Sequence, residues 1–466
     1  MSRSSSSSGN DAPPHEHTTT TTTTYGDITA AAAAAASETT PLLNEAQQRH
    51  ELMKPRRPLL VRAGQEAWRA FRATLFCSGT NVLLVCVPLG LMAGGWGWPE
   101  AAVFVLNFLA MLPLASILTF ATEQLAAAVG SVAGGLINAT FGNAVEMIVG
   151  ISALREGEVA IVQSSMIGSI LSSIMLILGT SFLLAGLGKR AVEINADIGG
   201  ILTSLMIISC ASLIMPSALD IVEAESPAMI DSNPSSYVLA LSRFTSLILL
   251  AFYIVYLYFQ SVSHAHLFIE EEEEDDEPQD KLHPLSSCVV LILSTLGVGA
   301  CSDRLVDSID GFVETLGVSR SFIGLIIVPI VGNLGCFVGT IQWSRTNRIN
   351  LAVSVIVGST LQISLFVVPF LVIVGWIIGK NMSLQFDTFE TIILTLSTLV
   401  VSCLLRGGET NYFEGLLLVA TYVIIGIAFF VHPGAAVTAT IDHRAVLAKD
   451  TVLAAVHSAA VASGKS

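Results

Sequence analysis

Charged residues are scarce in this chain. Asp, Glu, Lys and Arg make up 13% of its 466 residues, about half of the ~25% that soluble domains carry. Hydrophobic residues make up 52%, and the mean hydropathy is +0.70. This balance excludes an ordinary soluble domain and predicts an all-α protein whose helices cross the lipid bilayer many times.

A basic footprint is also missing. The 22 Lys and Arg residues are outnumbered by 37 Asp and Glu residues, which gives a net charge of -15. Proteins that bind nucleic acids concentrate positive charge on one face or along one helix. We therefore expect no nucleic-acid partner.

The sequence offers little for catalysis or for a resident metal. Its seven cysteines are scattered and form neither a Cys-x-x-Cys motif nor a pair with histidine, so zinc and a disulfide framework are unsupported. Isolated cysteines of this kind are usually small apolar core residues. The apolar stretches contain no His-Glu-x-x-His or Gly-x-Ser-x-Gly motif. We therefore expect neither an enzyme nor a bound cofactor.

Large apolar residues are rare at the start of the chain. Residues 1–50 are rich in Ser, Thr and Ala, and the low hydrophobicity of the first thirty predicts disorder. The chain does not begin with a basic segment followed by an apolar one, so a cleaved signal peptide is not expected. The segment 38–43, Glu-Thr-Thr-Pro-Leu-Leu, resembles an acidic dileucine signal that directs membrane proteins to the vacuole or lysosome. Such a short pattern also arises by chance.

Eleven apolar stretches are long enough to cross a bilayer, which takes about 20 helical residues. Six basic residues, from Lys54 to Arg72, precede the first stretch, and the positive-inside rule then places the N-terminus in the cytosol. The predicted spans are 79–97, 101–122, 127–153, 159–187, 196–219, 237–261, 285–302, 321–343, 350–378, 387–405 and 412–431.

The charges between the spans agree with this orientation. If the spans alternate in direction, Lys189, Arg345 and Arg406 all fall on the cytosolic side. The segment 220–236 carries acids but no Lys or Arg, and it falls on the far side. Adding or removing one early span would invert this pattern, so the loop charges support the count.

An acidic run divides the spans into two groups. Eight consecutive acids, Glu270 to Glu277, lie in the longest cytosolic connection. They repel one another and cannot fold compactly. They therefore form a solvated linker, gather cations near the cytosolic opening of a transport pathway, or do both. The predicted organisation is a disordered cytosolic tail at 1–70, a first helix with a first repeat at 71–261, an acidic linker at 262–284, a second repeat at 285–433 and a C-terminal tail at 434–466.

Glu146 is an acid inside the third predicted span. A carboxylate is unfavourable in hydrocarbon, so it faces a cavity or a partner and marks a functional site. Asn138, Thr140 and Asn143 lie within two helical turns and would line the same wall. The alternative is a Glu at a helix end whose carboxylate reaches the membrane interface.

The chain contains an internal repeat at an offset of 190 residues. Gly142-Asn143 recurs as Gly332-Asn333, and Gly168-Ser169 recurs as Gly358-Ser359. An odd number of spans separates the copies, so the two halves have opposite orientations in the membrane. This is the inverted-repeat plan of secondary transporters, whose substrate site lies near the midplane between broken helices.

The residues at these motifs suit a hard cation. Gly permits a helix interruption, and calcium takes six to eight oxygen ligands from carboxylates, carbonyls and similar groups. Close helix packing is the alternative explanation for the small residues. Glu146 is the predicted proton-coupling group, because a cation and a proton compete for its carboxylate. The predicted cation ligands are Asn143, Glu146, Gln163, Ser164, Ser169, Asn333, Ser359 and Gln362.

Segments around these residues resemble the calcium/proton exchanger family of vacuolar membranes. The first repeat does so at 121–126, 134–146 and 162–172, and the second at 322–333 and 357–363. The resemblance implies one leading helix followed by two inverted five-helix repeats, similar to the sodium/calcium exchangers. It also implies that calcium, or another divalent cation, is exchanged for protons across the vacuolar membrane.

The resemblance breaks at one position. The family uses one acid from each repeat, and its first acid matches Glu146. Its second repeat reads Gly-Asn-Ala-Ala-Glu-His, whereas this chain has Cys336 and Phe337 in place of the Glu and the His. With one acid, a bound divalent cation keeps about one uncompensated positive charge in a medium of low dielectric constant, at a penalty of several kcal/mol.

Three hypotheses follow from the missing acid. The site is weakened for calcium or retuned, for example towards manganese, which oxygen ligands also suit. Glu123 or Asp303 compensates for the missing carboxylate. Or the chain no longer transports and is a regulatory relative with the same fold. Transport is the leading hypothesis, with calcium, protons and the bilayer as partners, and the sequence gives no oligomeric state.

Overall fold

The computed structural model describes residues 59–224, 234–264 and 282–431. Within these ranges the chain is mostly helical, and the strands among them form one antiparallel pair, with Val192 opposite Thr410. The chain divides into residues 1–64 and a compact unit from Gln65 onward. Helices dominate because a backbone in lipid has to satisfy its own hydrogen bonds.

The first half is a series of apolar helices joined by short turns. A π-helical turn, Ser172–Ile177, continues one of these helices, and a second, Phe259–Ser263, follows the last. The other elements, in chain order, are Leu59–Phe76, the 3₁₀ helix Gly79–Val85, Cys86–Gly95, Glu100–Val129, Ser131–Phe141, Ala144–Glu156, Val159–Leu171, Leu178–Gly186, Val192–Glu193 (β1), Ala196–Ala224 and Pro234–Tyr258.

The second half has a similar plan. Two π-helical turns, Ile323–Ile327 and Ile363–Val367, lie within its helices. The other elements, in chain order, are Pro284–Asp307, Ile309–Leu316, Arg320–Phe322, Val328–Gly332, Leu334–Arg345, Ile349–Gln362, Val368–Ile377, Thr388–Arg406, Glu409–Thr410 (β2) and Tyr412–Val431.

Eight helices in the described residues are long and apolar enough to cross a membrane, and the number rises to eleven if each of three bent helix pairs counts as one span. The predicted all-α, multi-span architecture is therefore confirmed. The predicted spans lie within a few residues of the observed helices; for example, 412–431 is observed as Tyr412–Val431. Long apolar runs define these helices in the sequence before any packing is known.

Two of the predicted spans are interrupted near their middle. In the first, the segment Ala133–Phe141 is followed by Ala144–Glu156 with a bend of 41°. In the second, a helix ends at Gly332 and the next begins at Leu334. We call these the first and the second broken span. Both interruptions contain the repeated Gly-Asn motif.

The symmetry of the halves extends to their turns. Gly157 ends the first broken span with φ 94°, and Asn347, 190 residues later, ends the second with φ 64°. Gly adopts this left-handed conformation freely, and Asn is among the few other residues that tolerate it. The π-helical turns Ser172–Ile177 and Ile363–Val367 also lie at nearly the same offset.

Loops that the charge pattern assigns to one side of the membrane do meet in the structure. Lys189 donates a hydrogen bond from Nζ to Oδ1 of Asn347 at 2.5 Å. The strand Val192–Glu193 pairs with Glu409–Thr410. These three loops follow the fourth, eighth and tenth predicted spans, so an alternating arrangement places them at one end of the bundle.

The predicted N-terminal tail extends too far along the chain. A helix begins at Leu59, inside the segment 1–70 that was expected to be disordered. Trp68 and Phe71 interleave with Arg69 and Arg72, so this helix is amphipathic, and its apolar residues offset the disorder signal of the basic ones. The dileucine-like segment, the acidic run and the C-terminal tail lie outside the described residues.

Candidate functional site

Glu146 lies in the first turn of the helix Ala144–Glu156, directly after the interruption of the first broken span. Its side chain is 5% exposed. Its Oε2 atom is buried and has no hydrogen-bond partner among the described residues. Buried polar atoms in folded proteins almost always have a partner. A carboxylate in this state is suited to hold a proton or a cation.

The same carboxylate lies against the second broken span. A Cβ atom at Gly332 would stand 2.5 Å from Oε1, 2.7 Å from Cδ and 2.9 Å from Cγ of Glu146. Only glycine leaves room for the carboxylate at this distance. The interruptions of the two repeats therefore meet at this acid.

Asn143, at the first interruption, reaches into the second half. It donates from Nδ2 to Oε1 of Gln362 at 2.8 Å. Its Oδ1 accepts from the Ser359 hydroxyl at 3.5 Å. The asparagine of the first Gly-Asn motif is thus bonded to the second Gly-Ser motif.

Asn333 makes the reciprocal contact. It donates from Nδ2 to the carbonyl oxygen of Ser169 at 3.2 Å. Its Oδ1 accepts from the Ser173 hydroxyl at 3.3 Å. Each Gly-Asn asparagine therefore crosses to the Gly-Ser motif of the opposite half, and the oxygens of both halves converge near Glu146.

Six of the eight predicted cation ligands lie where the two interruptions and the two Gly-Ser motifs meet. The other two, Gln163 and Ser164, form hydrogen bonds with other residues. Gln163 donates from Nε2 to the carbonyl oxygen of Ser383 at 2.9 Å. Ser164 donates from its hydroxyl to Oε1 of Glu390 at 2.5 Å. The six that lie at the two interruptions and the two Gly-Ser motifs are Asn143, Glu146, Ser169, Asn333, Ser359 and Gln362.

Glu390 was not among the predicted site residues. It is 1% exposed, and it is the second buried carboxylate among the described residues, after Glu146. It lies in the first turn of Thr388–Arg406, where an acid is readily taken for one that reaches the interface. The signal that could have identified it is the one used for Glu146, an acid inside an apolar stretch.

The two acids predicted to compensate for the missing carboxylate lie in other surroundings. Glu123 is exposed and lines a cavity of about 970 Å³. Asp303 accepts from the Ser152 hydroxyl at 2.5 Å and lies 3.9 Å from Nη1 of Arg155. Within the described chain, neither acid is hydrogen-bonded to Glu146.

Cys336 occupies the position of the second acid in the repeat. It is partly buried, one turn beyond Asn333 and within electrostatic range of Glu146. Phe337 beside it is also partly buried and packs against the hydrophobic core. A neutral thiol is a weak donor for a hard cation, because the thiolate is the form that binds metals. The second repeat therefore supplies amide and hydroxyl oxygens at the site, from Asn333, Ser359 and Gln362.

The site carries little charge. The described residues contain no group of three or more His, Cys, Asp and Glu side chains that could hold a metal ion. A cation bound here would have one carboxylate, Glu146, together with neutral oxygens. A transport site has to release its ion as well as capture it.

Two inverted halves, each with an interrupted span, and a single buried acid where the interruptions meet define an inverted-repeat secondary transporter. The chain belongs to the sodium/calcium exchanger protein family, whose model matches residues 99–262 and 286–431. The family fits the predicted resemblance and the observed pairing of the two repeats.

Curated relatives cover most of the chain. A vacuolar calcium ion transporter from Schizosaccharomyces pombe is 40% identical over 363 residues, which is 78% of this chain and 87% of the relative. A Ca2+/H+ antiporter from Synechocystis is 35% identical over 367 residues, 76% of this chain and 97% of the relative.

A solved structure extends the likeness to three dimensions. The crystal structure of the Ca2+/H+ antiporter protein YfkE aligns with a TM-score of 0.63 at 32% identity. The alignment covers 78% of this chain and 100% of that chain. The arrangement of the helices is therefore that of a cation antiporter.

Proposed function

We propose that this chain exchanges calcium for protons across the vacuolar membrane, with its N-terminus in the cytosol, and thereby removes calcium from the cytosol. The names of the relatives and the solved antiporter fold support the reaction. The observation that carries the proposal is the buried Oε2 of Glu146, which lacks a partner in the described chain, at the meeting point of two interrupted spans.

Glu146 couples the two ions because one carboxylate holds either of them. When ionised, it attracts a cation, and the positive end of the helix that begins at Ala144 stabilises its negative charge. When protonated, it loses that attraction and the cation leaves. An acidic lumen therefore drives the exchange by supplying the proton that displaces the cation.

The neutral oxygens around Glu146 select the cation and link the halves. Asn143 and Asn333 each bond to the opposite repeat, so a movement of one half changes the oxygens that face the ion. Alternating access in inverted-repeat transporters consists of one repeat moving against the other around a fixed site. The crossing asparagines lie where that movement takes place.

The missing second acid makes manganese the second candidate substrate. A site with one carboxylate neutralises half the charge of a divalent ion, and affinity then depends more on the neutral donors. Manganese is suited by the same oxygen donors as calcium. Glu390, the other buried acid of the described chain, is the first residue to test as a compensating charge.

Uptake by reconstituted vesicles tests the proposal. The full chain is reconstituted with an acidic interior, and uptake of calcium, manganese, magnesium and sodium is measured with and without a protonophore. We expect calcium uptake that collapses with the proton gradient and is lost in Glu146→Gln. Proton-coupled uptake that persists in Glu146→Gln would reject the role of this acid.

A variant with the second acid restored distinguishes a protein that transports calcium weakly from one that has lost transport. Cys336→Glu with Phe337→His rebuilds the Glu-His pair expected for the family. If the native chain transports calcium weakly, this variant should raise its calcium affinity. Absence of uptake of every cation in both proteins would favour a regulatory, non-transporting protein instead.

A further inference from the structure

A cavity of about 970 Å³ opens between the amphipathic helix Leu59–Phe76, the helix Glu100–Val129 and the second part of the second broken span. Arg69 and Arg72 line one wall, and Glu123 and Gln342 line the others. The cavity is separate from the Glu146 site, and the transport mechanism described above does not use its residues.

The lining of this cavity carries a net positive charge. Arg69 and Arg72 supply two positive charges, and Glu123 is the one acid among the lining residues. Neither arginine forms an ion pair with an acid in the described part of the chain. A guanidinium presents several donors in a planar fork that matches phosphate oxygens. The cavity therefore has the chemistry of an anion site.

Exposed aromatic residues of the amphipathic helix lie at and beside the cavity, where Trp68 is one of the lining residues. The helix Gly64–Phe76 is bent 103° from the segment Gly79–Gly95 that follows, so it runs across the first span and not along it. Trp68 is 65% exposed and stacks on Phe71, which is 57% exposed, at 5.8 Å. Exposed aromatic residues beside arginines are typical of a helix that lies in the lipid interface.

One wall of the cavity is formed by the residue that precedes Cys336. Gly335 lines the cavity, and a Cβ atom there would stand 2.5 Å from Oγ1 of Thr119, which also lines it. Cys336 is the next residue in the chain. A charge held in this cavity therefore lies along an approach to the second repeat's side of the cation site.

We propose that this cavity binds the headgroup phosphate of an anionic phospholipid from the cytosolic leaflet. Arg69 and Arg72 hold the phosphate, Gln342 donates to it, and the acyl chains lie along Trp68 and Phe71. The leaflet assignment rests on the proposed orientation of the chain. Anionic lipids are recognised in this way by basic residues next to a membrane span.

Bound lipid changes the charge that an incoming cation meets. Without it, the two arginines outweigh Glu123 and repel a cation at this approach. A phosphodiester carries one negative charge, which brings the lining to neutrality and removes that repulsion. The lipid therefore acts as an electrostatic cofactor of cation entry. A free phosphate compound would supply the charge but would leave Trp68 and Phe71 uncovered.

Lipid retention by the purified full chain tests the site without any transport assay. The protein is incubated in detergent with phosphatidylserine or phosphatidylcholine, and the bound lipid is counted by native mass spectrometry. We expect retention of phosphatidylserine and a loss of about thirtyfold in its affinity in Arg69→Gln/Arg72→Gln, equivalent to about 2 kcal/mol. The matched control is Arg190→Gln/Arg345→Gln, which removes two exposed arginines that do not line the cavity.

Three results would overturn the proposal. The first is that phosphatidylcholine is retained as well as phosphatidylserine, and the second is that the control pair loses as much phosphatidylserine affinity as Arg69→Gln/Arg72→Gln. The third is that soluble glycerophosphoserine displaces phosphatidylserine at the same concentration, which would identify a free headgroup as the ligand. Thermal melting shows whether both double variants fold. If Arg69→Gln/Arg72→Gln does not fold, lipid binding is measured on the single variants Arg69→Gln and Arg72→Gln. Because the readout is lipid binding, its failure leaves the exchange proposal intact.

Discussion

The carboxylate of Glu146 lies against the backbone of Gly332, with Oε1 2.5 Å from the point where a Cβ atom of that residue would be. Gly332 begins the Gly-Asn motif of the second repeat, and Glu146 follows that of the first. The absence of a side chain at one residue thus creates the space that the acid of the other half occupies.

Gly332→Ala should displace the Glu146 carboxylate. The added methyl group overlaps Oε1, and the surrounding residues are buried, so the acid has to move or the two broken spans have to separate. We expect calcium uptake in vesicles to fall by more than about tenfold, since a misplacement of about 1 Å is enough for such losses in other sites.

The control for this variant is Gly358→Ala. A Cβ atom at Gly358 would have one neighbour within 4 Å among the described residues, the Tyr256 hydroxyl at 3.9 Å. This variant should keep most of the uptake. Equal activity of Gly332→Ala and the native chain would mean that Glu146 is elsewhere during transport.

Gly168→Ala should destabilise the fold more than Gly358→Ala, which is the corresponding change in the second repeat. A Cβ atom at Gly168 would overlap the backbone of Leu325, in the π-helical turn Ile323–Ile327. Backbone atoms cannot rotate away, so we expect a loss of about 1–3 kcal/mol. Thermal melting in detergent measures it, with Gly358→Ala as the comparison. Similar melting temperatures for the two variants would contradict the close approach of these helices.

Asn143 and Gln362 should be energetically coupled. Their side chains are joined by a hydrogen bond of 2.8 Å across the two halves. Alanine at either position breaks that bond, so the second substitution should do less harm than the first. We expect a coupling of about 1 kcal/mol in a double-mutant cycle on melting or on calcium affinity. Strict additivity would show that the bond is not made in the measured state.

The cycle has a matched counterpart in the other repeat. Asn333 and Ser173 are joined at 3.3 Å, a longer contact than that of Asn143. A smaller coupling is expected there, because hydrogen bonds weaken as the distance grows. If only one pair is coupled, the two halves do not contribute equally to the site.

Glu390→Gln should affect transport less than Glu146→Gln. Glu390 already accepts a hydrogen bond from Ser164, and Gln keeps both its volume and an acceptor oxygen. We expect the variant to fold normally and to retain proton-coupled uptake. If its uptake falls to the level of Glu146→Gln, Glu390 is a second coupling acid and replaces the one missing at Cys336.

The number of competing protons should be one. With a single carboxylate at the site, a fall in pH protonates Glu146 and weakens cation binding. The logarithm of the apparent calcium dissociation constant should then rise with acidification and approach a slope of about one for each pH unit once the pH lies below the pKa of the acid. Calcium binding measured across a pH series checks this slope. Cys336→Glu should steepen it towards two, and a slope of two in the native chain would require another titrating acid.

The helices were predictable from the sequence because each depends on a local property. An apolar run of about 20 residues has to become a helix in lipid, whatever its neighbours are. The spacing of the Gly-Asn and Gly-Ser motifs also indicated two equivalent halves. The amphipathic helix from Leu59 was the exception, because its apolar residues are interleaved with arginines.

The partners of each polar residue were decided by the tertiary structure. Asn143, Gln163 and Ser164 look alike as ligands in the sequence, but Gln163 bonds to Ser383 and Ser164 to Glu390. These partners lie more than 200 residues away, and no local pattern specifies them. Glu390 does carry a local signal, an acid inside an apolar stretch, but its partner Ser164 depends on which helices surround it.

The sequence by itself determined the membrane class, the span positions, the internal repeat and Glu146 as the acid of interest. Only the tertiary structure decided that Gly332 makes room for this acid and that each asparagine bonds to the opposite half. The physical reason is the range of the forces involved. Hydrophobic runs act on neighbouring residues, whereas a binding site depends on contacts between segments that are distant in the chain.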